Sequence, residues 1–121
     1  MQKIIVLDDN EGILEAVSLV LRRKQMEVIA LRDPADLEKN IALHQPVLLL
    51  MDIFLGGYDG RKICRRLKES QLSDQLWVIL FSAQTYSKDS VVESGADAVL
   101  NKPFSLKTLY SVIDNMLSKQ H

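Results

Sequence analysis

The chain has 121 residues, of which 47% are hydrophobic and 26% are charged, and its formal net charge is -1. This length fits one domain of ordinary globular composition, and the balanced charge argues against a nucleic-acid-binding or membrane-binding protein. The single cysteine, Cys64, excludes an internal disulfide and suits a reducing compartment. No apolar run reaches the length of a membrane span, and the opening MQKIIVLDD turns acidic too early for a signal peptide. We therefore expect a cytoplasmic protein.

Short apolar segments alternate with segments of helical periodicity along the whole chain. The former predict strands at residues 3–7, 27–31, 47–51, 76–81 and 98–100, and the latter predict helices at 11–24, 34–43, 61–69, 87–94 and 105–117. Pro34 in a first turn, Gly95 after a last turn and Ser105 as an N-cap mark three helix ends.

Five strand–helix units with short connections predict an α/β fold, an open parallel sheet with helices on both faces. The third apolar segment, 47–51, has no polar residue, which is typical of a central strand covered on both faces. Right-handed crossovers narrow the topology but leave the strand order open. Because no linker or repeat divides the chain, residues 1–121 are expected to form a single domain with no output domain.

Polar residues stand just beyond four of the apolar segments: Asp8-Asp9, Asp52, Ser82 and Lys102-Pro103. The carboxyl ends of parallel strands share one edge of the sheet, so these side chains are expected to meet in one site. Neighbouring carboxylates repel one another unless a cation or a proton intervenes, and Mg²⁺ prefers such oxygen ligands. The pattern indicates a metal-assisted phosphoryl acceptor.

The carboxylates also have a structural alternative. Asp8 or Asn10 is suited to cap the helix that begins near residue 11. Capping does not require Asp52, which ends the most apolar segment of the chain, LLLMD. A carboxylate at that position can attack phosphorus and form an acyl phosphate.

A hydroxyl and an ammonium complete the predicted site. Ser82 can donate a hydrogen bond to a phosphoryl oxygen, and Lys102 can pair with the same group. Taken singly, they would be a turn serine and a surface lysine. The Lys102-Pro103 bond is a candidate cis bond, which would fix the direction of the lysine.

With these positions assembled, the chain resembles the receiver domain of two-component response regulators. The matching strings are IVLDDN, LLLMDIFLGGYDG, VILFSA and GADAVLNKPF, in the order of the family and over essentially the whole chain. The resemblance implies a (βα)5 flavodoxin-like fold with strand order 2-1-3-4-5.

The resemblance also implies the roles of the acidic residues. Asp52 would accept a phosphoryl group from the phosphohistidine of a sensor histidine kinase or a histidine phosphotransfer protein. Asp9, Asp52 and the backbone carbonyl of Phe54 would bind Mg²⁺ directly, with Asp8 acting mainly through water.

The same resemblance assigns the remaining site positions. Ser82 would be drawn toward the phosphoryl group, and Lys102 would be its ion-pair partner. Gly60 matches the glycine that ends the loop after the phosphoacceptor. Phe54 and Gln84 occupy positions that tune hydrolysis of the acyl phosphate in this family. We predict that Phe54 partly shields the phosphorus from in-line water and lengthens the signal. The alternative is that packing of the loop determines the residues at these positions.

Two features depart from the pattern of the family. Val99 stands three positions before Lys102, where receivers usually carry an aromatic residue that couples phosphorylation to the output face. A small β-branched side chain cannot act as a ring switch, which leaves a loop shift driven by Ser82 as the expected response. The loop after the third strand contains Gly56-Gly57 where a proline is common, and two glycines loosen it.

We predict a phosphorylation-dependent switch that phosphorylates and dephosphorylates itself only, is not a turnover enzyme, and signals through a downstream protein target. The alternatives are a pseudo-receiver that binds partners without phosphate, and a Mg²⁺-dependent phosphohydrolase with an aspartyl intermediate. Such hydrolases usually place the nucleophile after the first strand and add a cap, and this chain has no insertion of that length.

Two helices carry further surface signals. The third helix is strongly basic, and with a net charge of -1 this indicates a solvated face rather than a nucleic-acid surface. Its basic residues are Arg61, Lys62, Arg65, Arg66 and Lys68. The apolar arc of the last helix is wider than a sheet-packed helix needs, so this helix is a candidate homodimer or partner surface.

Overall fold

A computed structural model describes residues 1–119, which form a parallel sheet, a short hairpin and five α-helices. The strands are β1 (Lys3–Leu7), β2 (Glu27–Leu31), β3 (Leu48–Asp52), β4 (Phe54–Leu55), β5 (Tyr58–Asp59), β6 (Trp77–Ser82) and β7 (Ala98–Asn101). The helices are α1 (Glu11–Arg23), α2 (Leu37–His44), α3 (Gly60–Lys68), α4 (Lys88–Ser94) and α5 (Leu106–Leu117). Within these residues, no helix combines the length and apolar character needed to cross a membrane.

The five long strands form one parallel sheet in the order β2-β1-β3-β6-β7. With the β4–β5 hairpin set aside, this is the order 2-1-3-4-5, so the predicted α/β fold is confirmed. Every residue of β3 is buried, as expected of a central strand covered on both faces.

Helices cover both faces of the sheet because successive strand residues point in opposite directions. Leu49 and Met51 of β3 belong to a core cluster with residues of α2, α3 and α4. Leu48 and Leu50 belong to a second cluster, with residues of α1 and α5. These two apolar layers hold the carboxyl edge of the sheet in place.

Side-chain caps fix where the helices begin. The Oδ1 atom of Asn10 accepts a hydrogen bond from the backbone N–H of Ile13 at 3.0 Å, so Asn10 rather than Asp8 caps α1. Ser105 caps α5 in the same way, and Gly95 follows α4 with a φ of 79°. Both of these predicted helix ends are confirmed.

The predicted second helix is divided in the structure. Residues Pro34–Asp36 form a separate 3-10 turn, in which the Asp33 side chain accepts a hydrogen bond from the backbone N–H of Ala35 at 2.7 Å. The α-helix starts only at Leu37, since the backbone of Asp36, at φ -101° and ψ 9°, is not α-helical. The predicted helix therefore begins at Pro34 as a 3-10 turn and becomes an α-helix at Leu37.

The strands at the site extend further than their apolar runs. Asp52 pairs with Phe81 and Ser82 pairs with Asn101, so Asp52 and Ser82 are the last residues of β3 and β6 rather than loop residues. The chain after Asp52 is also not a plain loop, because it forms the β4–β5 hairpin. The Lys102–Pro103 peptide bond is cis.

Candidate functional site at the carboxyl edge of the sheet

Three carboxylates meet where β1 and β3 end. Asp8 and Asp9 follow β1, Asp52 ends β3, and one carboxylate oxygen from each lies within 4.8 Å of the others. Asp8 is fully buried and Asp52 is 8% exposed, whereas Asp9 is exposed. The cluster therefore has a closed base and one side open to solvent.

Lys102 supplies the positive charge of this cluster. Its Nζ atom lies 2.8 Å from Oδ2 of Asp52 and 3.0 Å from Oδ2 of Asp8. The backbone N–H of Lys102 donates to the carbonyl of Ser82 at 2.8 Å, which holds the residue at the sheet edge. The ammonium also lies 4.3 Å from the centroid of the Phe81 ring, within the range of a cation–π contact.

Burial makes the charge of Asp8 unfavourable. Removal from water raises the pKa of the Asp8 carboxyl, and the nearby charge of Asp52 raises it further. The backbone N–H of Asn10, at 2.9 Å, and the Lys102 ammonium lower that pKa, but they do not reverse the effect of burial. Lys102 pairs with two of the three carboxylates, Asp8 and Asp52, so negative charge exceeds positive charge within this cluster.

The donor set fits a hard divalent cation. Mg²⁺ prefers carboxylate and carbonyl oxygens and keeps several waters, which suits a cluster with one open side. Asp8, Asp9 and Asp52 are the side chains that could hold such an ion. A cation there would also reduce the repulsion among the carboxylates.

The β4–β5 hairpin and the start of α3 lie directly against Asp52. The N–H of Phe54 donates to Oδ1 of Asp52 at 3.0 Å. A Cβ atom on Gly60 would lie 2.3 Å from the carbonyl oxygen of Asp52, so a residue without a side chain is required there. Gly56 turns the hairpin with a φ of 54°.

Arg61 and Asp59 form a contact that the sequence reasoning missed. Nε and Nη2 of Arg61 donate to the two carboxylate oxygens of Asp59, both at 2.9 Å. This pairing lowers the pKa of Asp59 and raises that of Arg61. The side chain of Arg61 is 21% exposed, and that of Lys68, which pairs with Asp97, is 23% exposed. Those of Arg65 and Arg66 are 66% and 67% exposed, so the prediction of a solvated basic face is wrong at Arg61 and Lys68. The available signal was an aspartate two positions before an arginine at a helix start.

The hydroxyl of Ser82 is hydrogen-bonded to the backbone of the following loop. It is buried, accepts a hydrogen bond from the backbone N–H of Gln84 at 3.0 Å, and donates to the carbonyl of Gln84 at 3.1 Å. The structure thus places Ser82 at the carboxyl edge of the sheet, as predicted, and its hydroxyl proton bonds the Gln84 carbonyl and not the carboxylate cluster. Both of these contacts are made by the backbone of Gln84, a residue that is exposed to solvent.

Comparison with known proteins places this site in a family. The family model described as "Response regulator receiver domain" matches residues 4–114. The chain belongs to this receiver family. As receivers, its members are signalling domains of two-component systems, so the resemblance drawn from the motifs is confirmed.

Two curated relatives of this receiver are transcriptional regulators. The chain is 27% identical to the alkaline phosphatase synthesis transcriptional regulatory protein PhoP of Bacillus subtilis (strain 168), over 98% of the chain and 49% of that protein. It is 32% identical to the transcriptional regulatory protein AfsQ1 of Streptomyces coelicolor, over 98% of the chain and 52% of that protein. The chain spans about half the length of these relatives.

A solved structure shares the fold of this receiver. The BeF3-activated N-terminal receiver domain of Klebsiella pneumoniae RstA is 24% identical and superimposes with a TM-score of 0.88, over 98% of this chain and 100% of that chain. At this identity the likeness supports the fold alone.

Val99, Asn101 and Pro103 flank Lys102 at the end of β7. Val99 is half-buried against the α2–α3–α4 layer, and Pro103 lines an apolar cleft beside α1. The hydroxyl of Tyr86 donates to Oδ1 of Asn101 at 2.5 Å, a link from the β6–α4 loop to the end of β7. No sequence pattern indicated this link, since it joins a loop residue to the end of a strand 15 residues further along the chain.

Proposed function

We propose that this receiver accepts a phosphoryl group on Asp52 and acts as a phosphorylation-dependent switch. The donor is the phosphohistidine of a sensor histidine kinase or a histidine phosphotransfer protein, and the output is contact with a downstream protein. The observation that carries the proposal is the position of Asp52, whose carboxylate lies 2.8 Å from the Lys102 ammonium and beside Asp8 and Asp9.

The proposed transfer step is a substitution at phosphorus. A carboxylate oxygen of Asp52 forms a bond to phosphorus while the bond from phosphorus to the imidazole nitrogen of the donor breaks, and that nitrogen keeps the electron pair. Asp9, Asp52 and the carbonyl of Phe54 would hold Mg²⁺, with Asp8 acting mainly through water, and the ion would supply neutralisation of the charge on the phosphoryl oxygens.

The residues around Asp52 orient its carboxylate for this step. The N–H of Phe54 holds Oδ1 at 3.0 Å and the ammonium of Lys102 holds Oδ2 at 2.8 Å, so the plane of the carboxylate is fixed before the donor arrives. Fixing a nucleophile in advance lowers the entropic cost of the reaction. After transfer, Lys102 can pair with a phosphoryl oxygen, and Ser82 can donate to another.

The partners follow from the same proposal. No direct contact with nucleic acid or membrane is part of it, and the single buried cysteine, Cys64, agrees with a cytoplasmic location. A homodimer through α5 stays a prediction. Leu109, Ile113 and Met116 of that helix are buried within the domain, which leaves Leu106, at 45% exposure, as its exposed large apolar side chain.

The test is stoichiometric labelling by a small phosphodonor. We would incubate the protein with acetyl phosphate and Mg²⁺ and measure its intact mass, with Asp52→Asn as a neutral control of the same shape. The proposal expects one phosphoryl adduct on the wild type, loss of the adduct when Mg²⁺ is chelated, and no adduct on the variant. Continuous hydrolysis of phosphomonoesters would instead favour a phosphohydrolase, and an unlabelled protein that still binds its partner would favour a pseudo-receiver.

A further inference from the structure

We propose that Arg61 is a positioning residue that holds Phe54 beside Asp52 and thereby sets the lifetime of the phosphorylated carboxylate. This inference rests on the proposed function of Asp52. It starts from the hairpin that separates β3 from α3, because Phe54 is the first residue of that hairpin and its N–H holds the Asp52 carboxylate.

The hairpin has little structure of its own to hold it. Its two strands share only two residue pairs, Phe54 with Asp59 and Leu55 with Tyr58. The turn between them is Gly56-Gly57, and a Cβ atom on Gly57 would meet no atom within 4 Å. A two-stranded hairpin is marginal by itself, and glycine adds backbone freedom, so the hairpin needs outside contacts.

The guanidinium of Arg61 supplies contacts to both strands. It makes two hydrogen bonds of 2.9 Å to the Asp59 carboxylate on β5, and its Cζ atom lies 5.4 Å from the centroid of the Phe54 ring on β4. A planar cation that pairs in a bidentate manner and also lies over a ring is restricted in direction. Arg61 therefore ties the two strands together on the side of Phe54.

A third contact anchors the guanidinium to a different helix. Nη1 of Arg61 donates to Oγ of Ser90 at 3.0 Å, and that hydroxyl donates to the carbonyl of Ser87 at 2.6 Å in the first turn of α4. The hairpin is thus tied through Arg61 to the body of the domain. Its position is not left to the flexible turn.

Helix capping does not account for this arrangement. Asp59 caps α3 by accepting a hydrogen bond from the backbone N–H of Arg61 at 2.9 Å, and any residue at position 61 except proline could donate that bond. The guanidinium makes its contacts with Phe54 and Ser90 in addition. What the side chain adds to the cap is therefore the position of the hairpin.

The expected consequence is a change in the lifetime of the acyl phosphate. Phe54 is predicted to shield the phosphorus from in-line water, and a ring that has lost its cation spends less time in the shielding position. Because an exposed cation–π contact is weak, removing it should shorten the lifetime of the phosphorylated protein by about two- to fivefold.

The experiment compares two arginines of α3 in two backgrounds. Arg61→Gln and the matched control Arg65→Gln are each made alone and together with Phe54→Ala. Arg65 suits the control because it is exposed and, within residues 1–119, its ion pair lies along its own helix, with Glu69 at 3.2 Å. After labelling with acetyl phosphate and Mg²⁺ and removal of the donor, the decay of the adduct is followed by intact mass.

The inference expects a shorter lifetime for Arg61→Gln than for Arg65→Gln, and no such difference once Phe54 is alanine. An equal effect of Arg61→Gln in both backgrounds, or an unchanged lifetime in the wild-type background, overturns it.

A second readout separates this inference from the proposed function. Amide hydrogen exchange on the unphosphorylated protein should increase at Phe54 in Arg61→Gln and stay unchanged at Leu50 in the core of β3. If the wild type takes no phosphoryl group and this local change is still seen, the proposed function fails and the positioning role stands. Increased exchange at both residues would show general destabilisation and overturn the positioning role.

Discussion

Replacing Lys102 by methionine tests whether the ammonium holds the carboxylate cluster together. The variant keeps most of the side-chain length and removes both ion pairs, of 2.8 Å to Asp52 and 3.0 Å to Asp8. The Lys102 side chain is 11% exposed and Asp8 is fully buried, so solvent screens these pairs little. Removing one partner of a buried pair costs about 3–5 kcal/mol, a large part of the ~5–15 kcal/mol by which domains are stable.

We would measure this by urea unfolding at pH 7 in buffer with a chelator, with Lys107→Met as the control. Lys107 is exposed on α5, so its loss should change the free energy of unfolding by less than about 0.5 kcal/mol. The loss at Lys102 corresponds to a melting temperature lower by roughly 12–20 °C, at about 4 °C per kcal/mol for a domain of this size.

Two further comparisons test the cause of this loss. Adding Asp8→Asn to Lys102→Met should recover part of the stability, because one uncompensated buried charge is removed. Mg²⁺ should stabilise Lys102→Met more than the wild type, since no ammonium then competes for the carboxylates; an ion at 100 times its dissociation constant contributes about 2.7 kcal/mol. If Lys102→Met unfolds within about 1 kcal/mol of the wild type without Mg²⁺, the electrostatic reasoning is refuted.

Three other predictions concern separate parts of the structure and use the same unfolding assay. Gly60→Ala should cost at least about 3 kcal/mol because its Cβ would lie 2.3 Å from a backbone oxygen, whereas Gly57→Ala, with open space, should cost far less; equal losses would contradict this. Ser18→Ala should stabilise by about 1 kcal/mol, since the buried hydroxyl has no hydrogen-bond partner within residues 1–119, and a loss would show that it has one. Arg61 lowers the pKa of Asp59, so the charged carboxylate stabilises the fold above its unfolded pKa and this contribution is lost as pH falls through the lowered value. Asp59→Asn should therefore lose less stability than the wild type as the pH falls below about 4, and parallel pH curves would refute it.

The main elements of the fold could be predicted because burial controls them. The central strand β3 is covered on both faces and is therefore apolar up to Asp52 at its carboxyl end, a pattern that can be read without coordinates. The strand order came from the resemblance to receivers and not from periodicity. The β4–β5 hairpin and the 3-10 turn at Pro34–Asp36 were missed, because elements of two or three residues have no periodicity and depend on tertiary contacts.

The site was predictable only as far as backbone position determines it. Placement at strand ends was enough to bring Asp8, Asp52 and Lys102 together, since parallel strands share one edge. The direction of the Ser82 hydroxyl and the contacts of Arg61 with Phe54 and Ser90 could not be predicted. Side-chain direction follows from rotamers and local packing, which the order of residues does not show.

The contacts of the β6–α4 loop explain how a site without an aromatic residue at position 99 can still transmit a signal. Ser82 has one hydroxyl proton, and it now bonds the carbonyl of Gln84 at 3.1 Å. To donate to a phosphoryl oxygen, Ser82 must give up that bond, and the start of the loop then loses an anchor. The other end of the loop is held by Tyr86 on Asn101, the residue before Lys102. Both anchors are thus attached to residues at the site edge, so under the proposed function phosphorylation would act on the loop backbone and would need no ring at Val99.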